Sequence, residues 1–278
     1  MTSPKLITAL SVLLSLAAIV VCVCAGVSAN DKFTVISNGL EYAAFESGLN
    51  GAREGKIHIL RIDPRQVSLG LLLASEQKVD NRAVSDWCQD YRMAAAINAG
   101  MYLKDHKTNV GYLRNGAYVQ NRRWNRKYMS VLAFNPKVRG VAPAVLVDLD
   151  APNAMSVLDN YNSVVQNLRL LRANEVNVWG RSEKKWSESA IGMDREGKIL
   201  FIFCRHPYTM WEFNEKIKSL RIGVSNMMHL EGGPIASLSI RTKNLKLDLA
   251  GSYETGYAEE GNQSQWPIPN VIGVYEKQ

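Results

Sequence analysis

Hydrophobic positions change period repeatedly along this chain, and each change marks an element. Phe33 to Phe45, Lys56 to Ile62 and Val67 to Ala74 alternate or run apolar, with turn signals such as Asp63-Pro64 between them. That is the pattern of strands buried on one or both faces. Val84, Trp87, Cys88 and Tyr91 recur at helical spacing, so a helix is predicted, capped by Asp80 and running to about Tyr91. Met93 to Asn98 reads as a buried strand, and Gly111 to Val119 as a hairpin turning at Asn115-Gly116. Val131 to Phe134 and Ala144 to Leu149 are further strands, followed by a predicted helix near Met155 to Val164.

A second hairpin joins Ala190–Met193 to Lys198–Cys204 around Asp194-Arg195-Glu196-Gly197, with Asp194 expected on its exposed turn. Thr209 and Glu212 have capping-box spacing, and Phe213, Ile217 and Leu220 supply the apolar stripe of the helix behind them. Met227 to Leu230, Ile235 to Ile240 and Val271 to Tyr275 return to strand, while Gly251 to Asn270 is loop-like. A loop of that length in a compact domain is usually a functional lid or a disordered flap. Strands outnumber helices without strict βαβ alternation, so the expected class is α+β: a single domain with a mixed or antiparallel strand-rich core and a few flanking helices.

The amino terminus has a different texture. Lys5 is followed by an almost wholly apolar run, Leu6 to Val27, and then by the small residues Val27-Ser28-Ala29. This is the layout of a secretory signal over residues 1–29, with an uncleaved anchor as the alternative, and residues 30–278 forming the domain. An exported chain is periplasmic, secreted or membrane-anchored, and it meets membrane only through that segment if cleavage fails. Cys88 and Cys204 fall on an apolar helix face and at the end of an apolar strand, so two buried free thiols are expected despite an oxidising compartment.

Charge then narrows the chemistry. The formal net charge is +7, and Lys104 to Lys127 alone carries seven basic residues against Asp105. Outside that segment and Lys5 the charges cancel. A local positive field points to an anionic ligand. Tyr112, Tyr118, Trp124 and Tyr128 are interleaved with the cations, a mixture suited to an anionic sugar or to nucleic acid. Export disfavours nucleic acid, and a solvated basic hairpin edge is the bland alternative.

Three further segments carry candidate chemistry. Ile97-Asn98-Ala99-Gly100-Met101-Tyr102 ends a buried strand in a polar side chain and a glycine, which either binds substrate or makes a turn. In Met228-His229-Leu230-Glu231-Gly232-Gly233-Pro234, period-two geometry puts His229 and Glu231 on one face, as an acid–base pair or a surface pair. Glu188 precedes the Ala190-Ile191-Gly192 strand and offers a second carboxylate. No CxxC, HExxH, P-loop, GxGxxG or GxSxG occurs, so no metal site or cofactor is evident.

Taken together, Asn98-Ala99-Gly100-Met101-Tyr102, Val110-Gly111-Tyr112 with Asn115-Gly116, Ala190-Ile191-Gly192 and Leu230-Glu231-Gly232-Gly233-Pro234 resemble the phosphodiester glycosidase family. That family includes the lysosomal-pathway uncovering enzyme and many exported bacterial proteins. Glu254-Thr255-Gly256 and Trp266 to Gly273 look like one bacterial branch of it. The chain has Glu231 where the family typically has Asp, and Glu188-Ser189 where an Arg often stands.

The resemblance implies an α+β fold and hydrolysis of a sugar-1-phosphodiester in a glycan or envelope polymer. Glu231 would be the catalytic carboxylate, with His229 orienting it or moving protons and Glu188 beside them. Asn98, Gly100, Tyr102, Gly232 and Gly233 would shape the sugar site, and Arg114, Arg122 and Arg123 would hold phosphate. The expected partner is a phosphorylated or anionic glycan, and no oligomeric state is implied. A non-catalytic envelope protein of the same fold that binds anionic glycan is the alternative function.

Overall fold

The computed structural model describes residues 32–47, 55–255 and 261–277. The signal segment, Cys22 and Cys24 lie outside the described residues. Among the described residues, eighteen strands form three antiparallel sheets, and four helices pack on their outer faces.

The first sheet holds β1 (Thr34–Ser37), β2 (Leu40–Glu46), β3 (Lys56–Ile62), β11 (Arg169–Arg172), β12 (Val176–Asn177), β13 (Trp186–Asp194), β14 (Ile199–Tyr208) and β15 (Val224–Gly232). Their order is β1-β2-β3-β14-β13-β15-β11-β12. The second, ordered β7-β6-β10-β8-β9, is built from β6 (Leu113–Asn115), β7 (Tyr118–Asn121), β8 (Ser130–Pro136), β9 (Ala144–Asp148) and β10 (Tyr161–Asn167). The third, ordered β17-β16-β5-β18-β4, takes β4 (Val67–Leu73), β5 (Ala95–Asn98), β16 (Ser237–Arg241), β17 (Lys246–Ala250) and β18 (Asn270–Glu276).

The inner faces of all three sheets meet in one core that includes Leu60, Leu71, Ile97, Phe134, Phe201, Leu230 and Leu238. A second cluster fills the outer face of the first sheet beneath α4 (Met210–Ser219), with Ala190, Ile202, Phe213 and Ile217. A third lies under α2 (Val84–Asp90), and α3 (Ala154–Leu158) caps the outer side of the second sheet. The short α1 (Ala74–Gln77) follows β4 directly. No helix among the described residues is long and apolar enough to cross a membrane.

Both predicted hairpins form. Gly116 takes φ +57° in the first, the left-handed region that the Asn-Gly pair supplies. The capping box is complete: Thr209 Oγ1 accepts from the Glu212 N–H at 3.2 Å, and a Glu212 carboxylate oxygen accepts from the Thr209 N–H at 3.0 Å.

Three expectations are corrected. Asp80 caps nothing: α2 starts at Val84 behind Ala83, without a side-chain cap. The helix expected to Val164 stops at Leu158, because Tyr161–Asn167 is the central strand of its sheet, where both faces and both edges are covered. Asp194 is buried rather than exposed. Its carboxylate accepts from the backbone N–H groups of Glu196 and Lys198, both at 2.9 Å, and faces Arg61 at 3.7 Å.

Candidate active site

The ends of β5, β10 and β15 converge where the three sheets meet. Asn98, the last residue of β5, is 1% exposed, and both ends of its amide are engaged. Its Nδ2 donates to the Ile235 carbonyl at 3.1 Å, and its Oδ1 accepts from Ser237 N–H at 2.7 Å and Ser189 Oγ at 3.1 Å. Ser189 Oγ also lies 3.1 Å from the Glu231 carbonyl. Asn98 thereby braces the turn after β15 against β13.

Gly100 adopts φ +156°, and a Cβ there would lie 2.6 Å from Asn109 Oδ1 and 3.1 Å from Asn167 Nδ2. The close approach that Gly100 permits is therefore that of two buried asparagines. Asn167 in turn donates to the Leu230 carbonyl at 3.0 Å, which fixes the strand one residue before Glu231.

The register of β13 and β15 alters the expected face of the acid–base pair. Ser189 pairs with Glu231 and Ala190 with His229, so Leu230 is an extra residue, a β-bulge. Neighbouring residues on β13 point to opposite faces, and so do their partners. His229 lies on the outer face with Ala190 and Glu188, and Glu231 turns inward with Ser189. The expectation that period two puts His229 and Glu231 on one face is corrected by that one residue.

His229 Nδ1 meets Glu188 Oε1 at 2.5 Å, with both side chains nearly inaccessible. Burial pulls the imidazole towards neutrality, but the Glu188 carboxylate outweighs it, and the affinity of His229 for a proton rises above the ordinary value. Glu231 is pushed up to about 7, first by burial and then by the negative charges of Glu188 and Glu254. His229 and the Gly232 N–H, which donates to Glu231 Oε1 at 3.1 Å, act in the opposite direction. Glu231 is therefore able to exchange a proton near neutral pH.

Two tyrosines flank it. Burial first, and the charge of Glu231 second, push the Tyr102 hydroxyl up to about 12, and the same causes raise Tyr128. Tyr102 was legible as part of its motif, whereas Tyr128 stood out only as an aromatic among cations.

Gly233, at φ +66°, starts the 3-10 turn Gly233–Ile235, and Glu254 packs against it: a Cβ at Gly233 would lie 3.2 Å from Glu254 Oε2. A Cβ at Gly251 would collide with the Gly233 carbonyl at 2.0 Å, so the loop-like segment after β17 presses directly on the turn. Gly232 backs onto Trp186, with 3.3 Å between its Cβ position and the indole.

The basic segment divides. Arg114 on β6 points away, donating to the Tyr161 carbonyl at 2.6 Å, six residues along β10 from Asn167. Arg122 and Arg123 lie in the exposed loop between β7 and β8. That loop is held by Gln166, a fully buried residue that the sequence did not single out. Gln166 Oε1 accepts from Tyr112 N–H at 3.0 Å and Asn125 N–H at 2.9 Å, and its Nε2 donates to the carbonyls of Asn125 at 2.8 Å and Tyr128 at 2.7 Å.

Roomier clefts lie elsewhere, about 710 Å³ beside Cys88 and about 520 Å³ beside His58. A smaller one of about 320 Å³ is lined by Lys127, Met129 and Leu168, next to Tyr128. Leu168 belongs to the site as well, since its carbonyl accepts from the His229 N–H at 2.9 Å. The candidate site is marked by its buried, perturbed carboxylates rather than by cleft volume. Among the described residues no group of three or more His, Cys, Asp or Glu could hold a metal ion.

Comparison with known proteins places this geometry. No functionally curated protein matches the chain significantly. Among solved structures, a hypothetical protein from Synechocystis superposes with a TM-score of 0.61 at 14% identity, covering 86% of this chain; the chain spans 62% of that protein's length. The catalytic domain of zebrafish N-acetylglucosamine-1-phosphodiester alpha-N-acetylglucosaminidase, auto-inhibited by its pro-peptide, superposes with a TM-score of 0.60 at 16% identity, covering 88% of this chain and 86% of that one. At such identities the likeness shows a shared fold. The sequence profile of the phosphodiester glycosidase domain matches residues 91–275, which include Asn98, Glu188, His229, Glu231 and the Gly232-Gly233 turn. The chain belongs to the phosphodiester glycosidase family.

Proposed function

We propose that the protein is an exported glycosidase that hydrolyses a sugar-1-phosphodiester linkage, with Glu231 as the catalytic carboxylate. The observation that carries this reading is a buried glutamate titrating at about 7, set by a bulge at the end of β15 in the family's acidic-Gly-Gly turn. In the reaction the anomeric C1–O bond breaks and the phosphate monoester departs with the bonding pair. Water supplies the hydroxyl to C1, and its remaining proton is released to the site. The ionised Glu231 stabilises or attacks the anomeric centre. A phosphate leaves as an anion, so protonating it matters less than neutralising its charge. Arg122 and Arg123 are the cations nearest in sequence to Tyr128 among those expected to hold phosphate, whereas Arg114 is engaged elsewhere.

His229 and Glu188 act from behind the strand. The positive charge of His229 near Glu231 favours its ionised form, and Glu188, which raises the proton affinity of His229, partly opposes it. Tyr102 and Tyr128 would bound the sugar on the inner face, above the brace made by Asn98.

The test is hydrolysis of a synthetic sugar-1-phosphodiester by the purified protein. Wild type is expected to release free sugar, with kcat/KM rising through a midpoint near pH 7 as Glu231 ionises. Glu231→Gln is expected to lower kcat at least about a hundredfold with the fold intact. Full activity in that variant would remove Glu231 from the mechanism. A non-catalytic glycan binder is the second reading, favoured by the diversion of Arg114 to Tyr161. It predicts binding of an anionic glycan without sugar release over long incubation.

A further inference from the structure

The loop Asn121–Tyr128 has its two feet on the rim of the candidate site. At one foot Asn121 Nδ2 donates to the Asn109 carbonyl at 2.7 Å, and Asn109 is the residue that crowds Gly100. At the other, Tyr128 stands within electrostatic reach of Glu231. Gln166 grips the middle at Asn125, and the side chains of Asn121 and Asn125 accept from the N–H groups of Arg123 and Lys127, at 2.9 and 3.0 Å, to fold two tight turns. The loop is thus a fixed shelf.

Four cations, Arg122, Arg123, Arg126 and Lys127, are exposed on it, and none enters an ion pair among the described residues. Between them Trp124 stacks flat on Tyr112, with centroids 4.3 Å apart and planes 1° from parallel, and it remains partly open to solvent. One small diester presents a single phosphate. Four unpaired cations beside a held aromatic face have more capacity than that ligand uses.

We propose that this shelf binds the continuing chain of a polymeric substrate, a glycan whose repeats are joined by phosphodiesters, so that repeats beyond the cleaved bond lie across Arg122–Lys127. The inference rests on the glycosidase reading for its orientation towards Glu231. Charge complementarity supplies the attraction, and continuity with the sugar site favours a glycan over a nucleic acid.

Binding to the Glu231→Gln full chain separates this from catalysis. The probes are a synthetic polymer of hexose-1-phosphate repeats, its single-repeat methyl phosphodiester, and single-stranded DNA as a control polyanion. The polymer is expected to bind at least tenfold more tightly than the single repeat, with affinity falling as salt rises. Replacing the four cations by alanine should abolish that advantage and flatten the log–log salt slope by up to about 3. Replacing them by lysine, or Lys127 by arginine, should restore most of it. Equal binding of polymer and single repeat, an unchanged salt slope in the alanine variant, or DNA binding as tight as the polymer would each overturn the proposal. Hydrolysis of the single repeat by wild type is measured separately. Its failure would remove the glycosidase reading, while the binding comparison would still decide the shelf.

Discussion

A carboxylate held at the boundary of ionisation couples the site to stability as well as to chemistry. Glu231 binds its proton more tightly in the folded protein, at about 7, than an unfolded chain does near the ordinary 4.5. The stability it contributes is therefore fully present below about pH 4.5 and is lost as pH rises through 7. Glu231→Gln removes that dependence. The variant should match wild type at pH 4 and exceed it at pH 8, by up to about 3 kcal/mol, in denaturant midpoints taken across pH. A parallel pair of curves would mean that Glu231 is not held as described. The residues that the fold brings together here were legible, since separate short motifs already named Asn98, Glu188, His229 and Glu231. Their roles were less so. A bulge inserts one residue without any change of residue type, so period-two counting put His229 and Glu231 together, and only the pairing of Ser189 and Ala190 parts them.

At the scale of elements, local signals succeeded where the local term dominates. The capping box satisfies two helix N–H groups within four residues, and Thr209→Ala should cost about 1 kcal/mol, read from chemical denaturation. Signals failed where distant packing decides. Tyr161–Asn167 carries a near-neutral pattern, yet β6 and β8 claim both its edges and override any helical preference. The same strand supplies Gln166, whose four bonds reach residues 38 to 54 positions away and leave no sequence spacing to notice. Gln166→Leu strands those loop groups. It should accelerate hydrogen exchange at Tyr112 and Asn125 selectively, and lower stability by roughly 2 kcal/mol or more.

Across the whole molecule, the antiparallel three-sheet arrangement agrees with the strand-rich class read from the sequence, although β11, β12 and β17 had no distinct signal. These strands are short or lie at or near a sheet edge, where alternation is weakest. The two cysteines belong to different cores, Cys88 on the buried face of α2 and Cys204 on β14 in the cluster beneath α4. Burial pushes both thiols up to about 12, so neither presents a thiolate at neutral pH. Native protein should leave Cys88 and Cys204 unlabelled by a thiol reagent, and both should react once denaturant is added. Peptide mapping that finds them bonded would refute the separation of the cores.

The position of β18 has a consequence in time. It lies between β4 and β5, joining a strand made early to the strand that ends in Asn98. Asn98 holds Ser189 and the Ile235–Ser237 turn, and with them the backbone around Glu231. Until residues 270–276 pair with β5, that brace has no neighbour on one edge. Such long-range pairing is slow, because the loop must close before any contact repays the cost. The brace around Glu231 is consequently completed only when that closure brings Val271 beside Asn98.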